Sequence, residues 1–92
     1  MDFSQFDVFD LIVREGFVPV ETGSDNCWVV EDRDGTRLLL VCVKNNRYII
    51  KPLGRFGKVS YNWEGQDLQE FKKDFEDATN LIYPKKEISK NI

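Results

Sequence analysis

The chain has 92 residues, 41% of them hydrophobic and 13% aromatic, with a net charge of −3. That composition is too apolar for a disordered tail, and the length suits one domain whose core needs no staples. No apolar run reaches the roughly 20 residues of a bilayer span, and the opening "MDFSQFDVFD" is acidic where a secretory signal would be basic, so the sequence predicts a cytoplasmic protein.

The first element is a helix over "SQFDVFDLIVREG". Val8, Phe9, Ile12 and Val13, with Phe6, form one broad apolar arc, while Asp7, Asp10 and Arg14 lie opposite, beside Leu11. Asp2 or Ser4 is the candidate N-cap and Gly16 the C-cap. "FVPVETGSDN" reads as a short extended piece and loop, with Pro19 restricting it to an edge or a non-strand path. "CWVVEDRDGTRLLLVCV" is a β-hairpin signal around Asp34-Gly35. With that dipeptide as a two-residue turn, Arg33 pairs with Thr36 and Cys27 faces Cys42. Leu38–Val43 is apolar at every position, which predicts a central strand covered on both faces. An Asn45-Asn46 turn leads to "RYIIKPL", since asparagine tolerates positive φ. "GRFGKVSYNW" gives a glycine-bounded turn and a fourth strand at Lys58–Trp63. "DLQEFKKDFEDATNLI" is a second helix with Leu68, Phe71, Phe75, Ala78 and Ile82 on its apolar face, and the chain frays after Pro84. The expected fold class is α+β: an antiparallel sheet of about four strands flanked by an N-terminal and a C-terminal helix. Residues 1–84 form the single domain, and 85–92 a flexible tail.

Histidine is absent, so neither a Ser–His nor a Cys–His nucleophile pair can be built. Two cysteines alone cannot close a zinc site. No catalytic residue, cofactor or metal site is expected, and the protein is read as a non-enzyme. Cys27 and Cys42 read as two buried, reduced small hydrophobes, with a regulatory disulfide as the alternative. "EDRDGT" lacks the distal bidentate glutamate of a calcium loop and reads as a hairpin tip. "GRFGK" lacks the Walker spacing and reads as a turn with a basic rim.

The charge is segregated along the chain: −7 over residues 1–34, +6 over 35–63, −4 over 64–77 and +2 over 78–92. Asp67, Glu70, Asp74 and Asp77 step by three, four and three, lining one flank of the second helix at about 4.5–6 Å intervals. Like charges so placed repel by roughly 0.2–0.5 kcal/mol per pair. They form a discontinuous row of negative charge comparable to the phosphates along one DNA strand. Asp2, Asp7, Asp10 and Glu15 on the first helix, and Glu21, Asp25, Glu31, Asp32 and Asp34 in the loops, could extend it. A solvated helix face is the alternative, with Glu70–Lys73, Lys72–Glu76 and Lys73–Asp77 as permitted pairs and Asp67 and Glu70 suited to the positive end of the macrodipole.

Two resemblances follow. "RYIIKPLGRFGKV" with "LQEFKKDFEDATNL", within residues 37–82, resembles the WGR domain, a nucleic-acid-binding module of poly(ADP-ribose) polymerases. Gly54, Arg55 and Gly57 match its W-G-R-x-G signature, and Leu53 replaces the tryptophan. That resemblance implies nucleic-acid binding by Arg47, Lys51, Arg55 and Lys58, with Tyr48, Phe56 or Tyr61 stacking on bases. In length, acidity and overall character, the whole chain resembles the Arn family, small anti-restriction DNA mimics of T-even bacteriophages. This second resemblance implies a protein of the host cytoplasm that inhibits a host restriction endonuclease of the McrBC type, which cuts DNA containing modified cytosine. The carboxylates above would occupy its DNA site. A histone-like nucleoid protein is a further implied partner, with no direct nucleic-acid contact and no membrane. A homodimer would lengthen the anionic track. The mechanism requires the acids of both helices and of residues 21–34 to form a connected surface, with the basic strands 37–58 facing elsewhere.

Overall fold

The computed structural model describes residues 5–24, 26–53 and 62–82. The elements run α1 (Gln5–Arg14), β1 (Val18–Glu21), β2 (Cys27–Glu31), β3 (Arg37–Lys44), β4 (Arg47–Pro52), β5 (Trp63–Gly65) and α2 (Leu68–Ile82). The strands form one antiparallel sheet in the order β1-β2-β3-β4-β5, so the fold is α+β with a helix at each end. The sheet has five strands where about four were expected. The additional one is β1, whose Pro19 sits on the sheet edge, where a missing ladder donor is tolerated. The last strand runs through Trp63–Gly65 rather than ending at Trp63. The candidate caps Asp2 and Ser4, residues 54–61 and the tail after Ile82 lie outside the described residues.

The local chemistry accounts for the ends of these elements. At the end of α1 the N–H of Gly16 donates to Val13 O and the N–H of Phe17 to Ile12 O, with Gly16 at φ 94°. This is a Schellman motif, and it needs the left-handed conformation that glycine adopts without strain. Asn45 and Asn46 both have positive φ, 55° and 61°, the two-residue turn whose twist matches a hairpin.

The β2–β3 hairpin differs from expectation twice, and the differences cancel. Asp32 rather than Arg33 pairs with Thr36: its N–H donates to Thr36 O at 3.0 Å, leaving Arg33, Asp34 and Gly35 as a three-residue loop. A bulge between Val30 and Glu31 then skips Leu38, because Val30 pairs with Leu39 while Glu31 pairs with Arg37. The bulge restores the register, and Cys27 faces Cys42 as predicted. Leu38 and Leu39 are both fully buried there, although they are consecutive.

Trp28, Val30, Leu39, Val41, Val43, Tyr48, Ile50 and Trp63 form one core with Val8, Leu11 and Ile12 of α1 and Phe71, Phe75 and Ala78 of α2. Both helices therefore send their buried side chains to the same face of the sheet. The expectation that β3 is covered on both faces is corrected: Leu40 and Cys42, on its second face, are only half-buried. The apolar run in β3 combines the bulge with this partly open face. On α1 the arc also divides differently. Leu11 is buried with Val8 and Ile12, whereas Phe6, Phe9 and Val13 are 79%, 40% and 49% exposed. Opposite Tyr48, Gly65 has no room for a side chain, since a Cβ would lie 2.6 Å from ring carbons of Tyr48.

Candidate anionic interface

The acids of α2 divide into anchored and outward groups. Asp67 caps the helix, its Oδ1 accepting from the Glu70 N–H at 2.8 Å. Glu70 reaches back past the cap to accept from the Gln66 N–H at 2.9 Å, which ties the helix start to the chain before it. Both carboxylates remain exposed, as does Asp77 one turn beyond. Asp74 is half-buried and accepts a short hydrogen bond of 2.5 Å from the Tyr48 hydroxyl. The row therefore has three outward charges on a helix pinned through its fourth. Asp74 is corrected from a phosphate-like surface group to an anchor, because a carboxylate already accepting from a buried phenol has less capacity left for a partner.

Tyr48 is also corrected. It is 2% exposed, on the core face of β4, with its ring edge-on to Phe71 at 5.2 Å, so it cannot stack on a base. The signal was in the sequence: Tyr48 shares the parity of Ile50, and Asp74 borders the Phe71–Phe75 face. Burial, the bond to Asp74 and the charges of Asp74, Glu70 and Asp67 push the Tyr48 hydroxyl far above the usual tyrosine range. The folded state holds this proton more tightly than the unfolded chain does. Its contribution to stability is thus complete below about pH 10, and is lost progressively as pH rises above the unfolded tyrosine pKa. Melting temperature followed from about pH 8.5 to about pH 11 should fall more steeply for wild type than for Tyr48→Phe. Equal slopes would show that Tyr48 is not the responsible group.

The other candidate acids do not join this row. Asp7 and Asp10 are exposed on α1. Between the helices, a cleft of about 240 Å³ is lined by Leu11, Arg14, Glu15, Leu68, Gln69 and Lys72, so Arg14 and Lys72 interrupt the anionic surface there. Glu15 is half-buried in that mixed-charge groove. Asp32 is half-buried as the organiser of the hairpin loop, its Oδ1 accepting from the N–H groups of Asp34 and Thr36 at 2.8 and 2.9 Å. Asp34 is exposed at the loop tip, and Glu21 is exposed at the end of β1. The connected surface required of both helices and residues 21–34 is thus reduced to the flank of α2. Rows spaced by helical periodicity cannot reveal which flank a second helix will occupy.

Among the described residues, the bases of β3 and β4 lie on the other face of the sheet. Lys44 pairs with Arg47 and Leu40 with Lys51, placing all three bases with Cys42 and Ile49 on the sheet face turned away from the helices. Glu31 and Glu64 share that parity. Arg55, Phe56, Lys58 and Tyr61 lie outside the described residues.

Cys27 and Cys42 are joined in a disulfide across β2 and β3, which corrects the reading of two reduced thiols. Directly opposed cysteines in an antiparallel ladder are close enough to bond. Among the described residues, no group of three or more Cys, Asp or Glu side chains is arranged to hold a metal ion. No described helix is long and apolar enough to cross a membrane. No protein-family model, curated protein or solved structure matches the chain.

Proposed function

We propose that this protein is a non-enzymatic DNA decoy, a phage anti-restriction protein of the host cytoplasm. Asp67, Glu70 and Asp77 occupy the phosphate-binding groove of a host modified-cytosine restriction endonuclease of the McrBC type. The observation that carries this reading is the exposed carboxylate row on α2, fixed by the Asp74–Tyr48 bond, with Lys44, Arg47 and Lys51 on the sheet face turned away from the helices. Such a row offers arginines and lysines of a DNA site the charge spacing they meet on a phosphate backbone. A histone-like nucleoid protein, whose DNA surface is also basic, is a second partner of the same kind.

The reading is tested by titrating the protein into cleavage of modified-cytosine DNA by an McrBC-type nuclease, beside a DNA gel shift. Dose-dependent loss of cleavage without a shift is expected. A shift of the DNA itself would favour the competing reading, a nucleic-acid-binding module using Lys44, Arg47 and Lys51 on the open sheet face.

The open sheet face also supports a homodimer. Val18 and Val20 are 43% and 38% exposed there, beside half-buried Val29, Leu40 and Ile49. The rim holds both signs, Glu31 and Glu64 with Lys44, Arg47 and Lys51, as a self-complementary contact requires. Pairing through this face would screen the bases and turn an anionic helix outward at each end. Sedimentation should give a dimer that Val20→Lys converts to monomer. A wild-type monomer at all concentrations would remove this arrangement.

A further inference from the structure

On the other flank of the helix layer, a cleft of about 720 Å³ lies between the start of α1, the end of β1 and the loop into β2. Phe6, Phe9, Trp28, Glu21, Ser24 and Asn26 contribute to its lining. Phe6 and Phe9 are 79% and 40% exposed, although Val8, Leu11 and Ile12 of the same helix are buried. The Phe9 and Trp28 rings are 6.1 Å apart at 66°, so two aromatic walls meet at a steep angle. Glu21 is paired with Trp28 across the ladder and shares its face of the sheet, which places a carboxylate beside the indole. Aromatic surface alone would take any apolar group. Aromatic surface with one carboxylate, in a segment carrying −7 over residues 1–34, selects a cation with apolar faces.

We propose that this cleft binds the guanidinium of an arginine from a basic segment of a protein partner, stacked on the half-open Phe9 ring, bordered by the small exposed part of Trp28, and paired with Glu21. Arginine fits better than lysine because its planar, weakly hydrated head stacks on rings while its edge still donates to a carboxylate. The inference rests on the decoy reading only for the source of the arginine, the basic DNA groove of the nuclease. It adds a shape-specific contact to a surface that otherwise attracts by charge alone.

The test is an NMR titration of the full ¹⁵N-labelled chain with the blocked pentapeptide Ac-Gly-Ser-Arg-Ser-Gly-NH₂ and its citrulline counterpart. Citrulline keeps the planar shape and loses the charge. The arginine peptide should shift the Trp28 indole N–H and the amides of Phe9, Glu21 and Asn26, binding about fivefold more tightly than citrulline. Glu21→Gln should erase that preference and Phe9→Leu should weaken both peptides, with dispersed spectra showing that each variant is folded. Neutralising Asp67, Glu70 and Asp77 should leave the titration unchanged. Equal binding of the two peptides, shifts confined to α2, or no shifts would overturn the proposal. Peptide binding without nuclease inhibition would remove the decoy reading and leave the cleft; inhibition without peptide binding would do the reverse.

Discussion

The triple variant Asp67→Asn, Glu70→Gln, Asp77→Asn should inhibit the nuclease about a hundredfold more weakly than wild type while melting within a few degrees of it. Each exposed carboxylate paired with a partner's arginine or lysine is worth at most about 1 kcal/mol. Three together reach about 3 kcal/mol, and every 1.4 kcal/mol is a factor of about ten in affinity. Stability is spared because asparagine and glutamine keep the acceptor oxygens that receive the Glu70 and Gln66 N–H groups. The lost macrodipole attraction, about 0.3–1 kcal/mol for each charge in the first turn, is opposed by relief of repulsion along the row. Asp74 is left intact, since its loss would remove an acceptor of the buried Tyr48 hydroxyl and confuse folding with binding. A triple variant that inhibits as well as wild type would show that α2 is only a solvated helix.

Removing the Cys27–Cys42 link should cost about 3 kcal/mol, the value expected for closing a loop of roughly 15 residues. For a domain of this size that is a fall in melting temperature of about 12–24 °C, out of a total stability of about 5–15 kcal/mol. The fold should survive, because the β2–β3 register is held by the ladder and by burial of Trp28, Val30, Leu39 and Val41 as well as by the sulfurs. Both cysteines are half-buried on the open sheet face, so a small reductant can reach them. Thermal unfolding with and without dithiothreitol, beside a thiol count on the native protein, measures the effect. Identical curves after complete reduction would mean that the link does not constrain the unfolded chain. The result also bears on location. The host cytoplasm keeps most thiols reduced, so the reduced form there must remain folded at the host's temperature for the decoy reading to stand.

Elements with a strong local cause were legible in the sequence. The helix at 68–82 follows from its three- and four-residue apolar steps, the end of α1 from Gly16, and the hairpin at 45–46 from two asparagines able to take positive φ. The facing of Cys27 and Cys42 was also reached, although the assumed turn was one residue too short and the bulge at Leu38 made up the difference. The WGR resemblance offers Tyr48 as one of three stacking rings, while its alternation with Ile50 points it inward. Phe6, Phe9 and Val13 belong to the apolar arc of α1 yet stay exposed, because periodicity gives the direction of an apolar face but not how much of it a neighbour will cover.

The sequence by itself determined the α+β class, the order of its main elements and the segregation of charge, because these follow from propensity, periodicity and covalent order within a few residues. Only the tertiary structure decided that both helices share one sheet face, that Asp74 is an anchor and Asp32 a loop organiser, that Arg14 and Lys72 divide the acids of the two helices, and that an aromatic cleft stays open beside Glu21. Those outcomes depend on which side chains meet across long sequence separations, where the hydrophobic effect is non-directional and packing alone selects the partner.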